Sequence, residues 1–180
     1  MQAHTFQVSV VMQKARVTGP MSRWQTWQWR LDRVIAHDPG HGTAPQRLHQ
    51  DEDLALWLFP GFTVELHRDD AEGYYLNATS EVSCWFVMWR MTDHPSGEPI
   101  AQPQLVSLSY HMAGRLLDAQ ESLESAPVTP EIKRILLEFA EEHYQIEPKK
   151  RQRPASFRGL QDRFGNPVKV STSKPRKGSQ

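Results

Sequence analysis

Cysteine is almost absent: Cys84 is the one thiol in 180 residues. The chain therefore closes no disulfide within itself and builds no cysteine-based zinc cluster. In "SCWFVMW" the thiol reads as a small buried filler, not as a nucleophile. Long apolar runs are missing as well, since none approaches the roughly 20 residues that span a bilayer. The opening residues "MQAHTFQVSVVMQKAR" lack the basic segment, apolar core and small-residue cleavage site of a secretory leader. A cytoplasmic chain with no membrane association is expected. Neither G-x-G-x-x-G nor G-x-x-x-x-G-K-[ST] occurs, so nucleotide binding through those loops has no support. No G-x-S-x-G elbow occurs either. On these grounds no catalytic residue, metal or cofactor is assigned.

What is present is a polarised charge pattern beneath a formal net charge of zero. Residues 1–148 carry 11 Lys and Arg against 20 Asp and Glu, a net of −9, whereas residues 149–180 carry 10 against one, a net of +9. The length and a 38% hydrophobic content suit one compact domain. We therefore expect a single globular domain over 1–148 and a basic, mostly disordered tail over 149–180, whose few apolar anchors cannot offset the entropy of ordering. Within that tail, "SFRGLQDRFGNPV" places Phe157 and Phe164 where a short segment can fold onto a partner.

Along the chain, Val8, Val10 and Met12 alternate with Ser9 and Gln13 and read as a strand. Trp27, Trp29 and Leu31 repeat with period two and predict another, with Trp24 on the opposite parity at its start. On this basis Trp27 and Trp29 belong to the core against the final helix, and Trp24 is left to meet a partner. "HDPGHGTAPQRLHQDED" has the composition of a loop. "LALWLFPGFTVELHRDD" reads as a hairpin divided at Pro60-Gly61, "GYYLNATS" as a short strand or extended turn, and "SCWFVMWRM" as a central strand covered on both faces. "PQLVSLSYH" supplies one more strand, opened by Pro103. "HMAGRLLDAQESLES" then predicts a helix. "TPEIKRILLEFAEEHYQI" predicts the clearest one, with Thr129 as cap and Pro130 at the first position. Strands followed by helices imply an α+β fold: an antiparallel sheet or small β-barrel of about six to seven strands, then two C-terminal helices.

Two clusters invite a chemical reading. His37, His41 and His49 share a loop with Asp38, Asp51, Glu52 and Asp53, but their irregular spacing on an unsupported loop favours solvated polar residues over metal ligands. Glu65 and His67 fall on one strand face two residues apart, within reach for acid-base work; an exposed strand face is the plainer reading. The acidic residues of the two helices make solvated faces. Nucleic-acid binding through the basic tail is disfavoured by the acidic body and by tryptophans that lack an interleaved basic stripe.

The order of "WQTWQWRLDRVI", "FTVELHRDDAEGYYLN", "WFVMWRM", "VSLSYHMAGRLLDAQESLE", "VTPEIKRILLEFAEEHY" and "EPKKRQR" resembles an uncharacterised bacterial domain family, over about Val8 to Arg153. That family is typically encoded among genes for molybdenum-dependent formate dehydrogenase and its TorD-like chaperone. "VELHRDDAEGYYLN" is the most specific stretch. The resemblance implies no catalytic residues. Some members are linked to molybdopterin guanine dinucleotide synthesis, for which this chain lacks the Gly-rich nucleotide-binding start. The expectation is a non-enzymatic accessory protein that assists maturation or assembly of a molybdenum or tungsten formate dehydrogenase. It would contact the enzyme's subunits or their chaperone through Trp24, Glu65, His67, Arg68, Phe157 and Phe164. Two alternatives stay open: a small enzyme acting through Glu65 and His67, including a role in molybdenum-cofactor biosynthesis, and a nucleic-acid binder acting through the tail.

Overall fold

The computed structural model describes residues 4–144. Phe157, Phe164 and the expected tail of residues 149–180 lie outside them. The fold is α+β, with seven strands in two antiparallel sheets and three α-helices among the described residues.

The first sheet has the order β2-β1-β4-β3, formed by Thr5–Arg16 (β1), Trp27–Ala36 (β2), Gln46–Gln50 (β3) and Leu54–Glu65 (β4). The second has the order β6-β5-β7, formed by Cys84–Thr92 (β5), Ile100–Ser107 (β6) and Ser122–Pro127 (β7). The period-two residues Val8, Val10 and Met12 face the core, where they meet Trp57 and Phe59 of β4 and Trp85 and Val87 of β5. The sheets adjoin along β4 and β6 and along β2 and β7. At the second seam the amide of Leu31 donates to Glu124 Oε2 at 2.7 Å, which gives a partner to an edge N–H that the ladder leaves unpaired.

Three helices complete the core: Ala71–Ala78 (α1), Tyr110–Asp118 (α2) and Pro130–His143 (α3). The predicted cap of α3 is present, with the Thr129 side chain accepting from the amide of Ile132 and Pro130 in the first turn. α3 packs on α1, where Phe139 meets Tyr74 edge-on at 5.7 Å.

The structure corrects several local expectations. "GYYLN" is helical, not extended: Ala71, Tyr74 and Ala78 bury one face at helical spacing. An eight-residue apolar segment is too short for periodicity to separate the two states. Pro60-Gly61 makes no hairpin. β4 runs through it as one strand because both halves pair with β1, with Val8 opposite Phe62 and Val10 opposite Phe59. Pro60 and Gly61 together stand opposite the single residue Ser9, a bulge with one extra position in which Gly61 takes φ 89°, and a proline without an N–H suits the interrupted ladder. The loop from His37 to Asp53 contains edge strand β3, and Ser122–Pro127 is β7, not the tail of a helix. α2 stops at Asp118, with Gln120 at φ 60° turning the chain. Pro103 lies buried inside β6, opposite Trp89, instead of opening the strand.

Candidate functional site

Four of the six tryptophans converge on one cleft. β1 contributes Lys14, β2 contributes Trp27 and Trp29, β4 contributes Trp57, and β5 contributes Trp89. A deeper part, of about 130 Å³, also holds Arg47 of β3. A shallower part, of about 520 Å³, is lined by Trp27, Trp89, Met91 and Glu124. The two parts share Lys14, Trp27, Trp29, Glu98 and Pro99, so these residues stand where they meet.

Strand parity explains the ring arrangement, since Trp27 and Trp29 are two apart on β2 and present the same face. Lys14, opposite Trp29 in the β1–β2 ladder, lies across that face. Its Nζ is 5.4 Å from the ring centroid of Trp27 and 6.0 Å from that of Trp29, within cation–π range. Trp57 packs at 6.5 Å on Trp29, carries the Arg47 guanidinium 4.8 Å from its centroid, and meets His94 edge-on at 5.2 Å. Trp29 is in the core, as its parity suggested, but its ring partner is Trp57 and its cation is Lys14, not residues of α3. That corrects the expected packing of Trp27 and Trp29 against the final helix. The Nε1–H of Trp89 is buried without an acceptor.

Lys14 also donates to Glu98 Oε2 at 2.8 Å. That hydrogen bond, followed by the charge of Lys14, lowers the Glu98 pKa below its ordinary 4.5. A depressed carboxylate pKa means the pair is intact above pH 4.5 and is lost as pH falls through the lowered value. Tryptophan fluorescence of the whole protein should therefore show an acid transition below pH 4.5 that Lys14→Met removes. The same transition in both proteins would separate it from this pair.

The expected site residues are dispersed. Trp24 lies outside β2 and follows a single 3-10 turn, Pro20–Arg23, with 86% of its surface exposed. Its neighbour Gln25 lines the shallow part of the cleft. Glu65 ends β4, while His67 lies beyond the strand and precedes a 3-10 turn that begins at Arg68. Glu65 and His67 do line one groove, together with Asp70, Tyr74 and Met112. All three of Glu65, His67 and Arg68 are exposed. The backbone N–H of His67 donates to the Tyr74 hydroxyl at 3.2 Å, and burial raises the pKa of that phenol. His37 bonds the buried Ser9 hydroxyl at 3.1 Å and meets His41 edge-on at 6.4 Å, whereas His49 pairs with Asp51 at 3.0 Å. Among the described residues no three His, Cys, Asp or Glu side chains converge as a metal set, and no helix is long and apolar enough to cross a membrane.

Sequence reasoning missed Lys14, Arg47, Trp57, Trp89, Glu98 and Glu124 as one site. The available signal was that "LWLF" and "FVMW" each place an indole in a strand, as "WQW" does. The cleft's cations lie over rings and its carboxylates take N–H donors, an arrangement suited to holding a flat or charged group.

No curated protein and no solved structure matches the chain. One family model does, that of a protein of unknown function, DUF3305, across residues 7–153. With the match running from the first strand past the last helix, the chain belongs to the DUF3305 family of proteins of unknown function.

Proposed function

We propose that this chain is a non-enzymatic accessory protein of the cytoplasm that assists maturation or assembly of a molybdenum or tungsten formate dehydrogenase through protein–protein contacts. The observation that carries a binding role is the tryptophan cleft with the exposed Trp24 near its rim. Exposed and half-exposed tryptophan and arginine are the side chains that dominate binding energy at protein interfaces. The choice of formate dehydrogenase rests on the sequence resemblance. The candidate acid-base pair supports turnover less well, because Glu65 and His67 share no hydrogen bond and both are exposed.

The test is co-purification of the tagged full chain from its native host. Formate dehydrogenase subunits or their chaperone should be enriched. Trp24→Ala should lower recovery by about tenfold while changing stability by less than about 0.5 kcal/mol, as for other surface substitutions. No enrichment, together with normal formate dehydrogenase activity in a deletion strain, would sink the proposal.

A further inference from the structure

The shallow part of the cleft is lined by two carboxylates, Glu98 and Glu124, against one cation, Lys14. Lys14 is committed to Glu98 at 2.8 Å, which leaves Glu124 without a counter-charge. Glu124 is half-buried on β7, and its Oε2 takes the Leu31 amide. Its other oxygen has no hydrogen-bond or ion-pair partner among the described residues. A partly desolvated carboxylate of this kind gains from a cation that brings its own donors. The walls beside it are Trp27, Trp89 and the exposed Met91. Lys14 shows how this surface holds a cation: over the Trp27 and Trp29 rings and against a carboxylate.

A guanidinium suits such walls better than an ammonium. It is flat, weakly hydrated, stacks on indole and offers paired donors to a carboxylate. An acidic group in the same place would face Glu98 and Glu124 and be repelled. Charge points the same way over the larger surface, because residues 1–148 carry a net of −9.

We infer that the shallow cleft binds an arginine side chain on an extended segment of a protein partner, its guanidinium stacked against Trp27 or Trp89 and paired with Glu124. The inference rests on reading the cleft as a protein-contact surface and adds the chemistry of what enters it.

The experiment titrates the whole protein, followed by tryptophan fluorescence at low ionic strength, with acetyl-Gly-Arg-Gly-Arg-Gly-amide. A matched peptide carries citrulline, the neutral isostere, in place of arginine. The arginine peptide should give a saturable change, and the citrulline peptide should bind about tenfold more weakly. Glu124→Gln keeps an oxygen for the Leu31 amide, so it should hold its thermal midpoint and lose about tenfold in affinity for the arginine peptide. Equal binding of the two peptides, or unchanged affinity in Glu124→Gln, overturns the inference. Its fate is separable from that of the proposed function. Arginine-peptide binding without capture of formate dehydrogenase removes only the named partner, whereas capture that Glu124→Gln leaves intact removes only the arginine site.

Discussion

Asn77→Asp is expected to cost about 3–5 kcal/mol of folding stability, enough to lower the thermal midpoint by roughly 10 °C or more. Asn77 is 1% exposed on α1 and ties three parts of the second sheet's surroundings together. Its Nδ2 donates to the carbonyls of Cys84 at 2.8 Å and Leu108 at 2.7 Å, and its Oδ1 accepts from the amide of Cys84 at 2.9 Å. Those contacts fix the start of β5 and the chain just past β6 against the helix. Aspartate has the same shape and keeps the acceptor, but it turns an oxygen toward two carbonyl oxygens. Ionised, it is a buried charge without a counter-charge; protonated, it has one O–H for two acceptors. The folded-state pKa of the introduced carboxyl is therefore raised above its unfolded value. The penalty is largest above that folded pKa and shrinks as pH falls through it. Urea denaturation at neutral and mildly acidic pH measures both effects. A loss below about 1 kcal/mol at neutral pH would show that the three bonds contribute no more than a typical single one.

Trp85→Ala is the second large effect, about 3–5 kcal/mol by the usual cost of removing a buried tryptophan. Trp85 is 2% exposed at the start of β5, and its ring stands edge-on to Phe6 of β1 at 5.9 Å. It therefore fills the space between the two sheets, and alanine would leave a void that close-packed neighbours fill only in part. Trp85→Phe, which keeps a ring, should lose less than half as much. Equilibrium unfolding of both variants beside Trp24→Ala supplies the comparison. A Trp85→Ala protein as stable as Trp24→Ala would contradict the assignment of this ring to the core.

Asn77 also changes the reading of "VELHRDDAEGYYLN". The stretch holds the acid-base candidates Glu65 and His67, which are exposed, whereas its buried Asn77 and Gly73 are structural. At Gly73 a Cβ would lie 2.6 Å from the Ser109 hydroxyl and 2.8 Å from Asp70 Oδ1. Ser109 needs that space because its hydroxyl accepts from the amide of Met112 and caps α2. Asn77 and Gly73 thus serve the packing of α1 against the start of β5 and the chain beyond β6.

The parts legible in advance were those whose signal is local and repeated. Val8, Val10 and Met12 announced β1 by alternation, and Thr129 with Pro130 announced α3 by cap chemistry. The apolar "CWFVMW" announced a central strand, which β5 is, between β6 and β7. Misread segments were short or carried signals shared by two structures. Pro-Gly serves a turn or a bulge equally well, and α1 and β7 span eight and six residues, too few to fix a period.

The α+β class, the parity that sets Trp27 and Trp29 on one face, and the cap that begins the last helix can all be read from the chain without its fold. Each depends on residues a few positions apart. That Lys14, Trp57, Trp89, Glu98 and Glu124 stand around those rings emerges with the folded sheets. They come from four strands and the connection before β6, up to 110 positions apart along the chain. Contacts of that separation are set by strand pairing and sheet seams, for which neighbouring residues carry no local code.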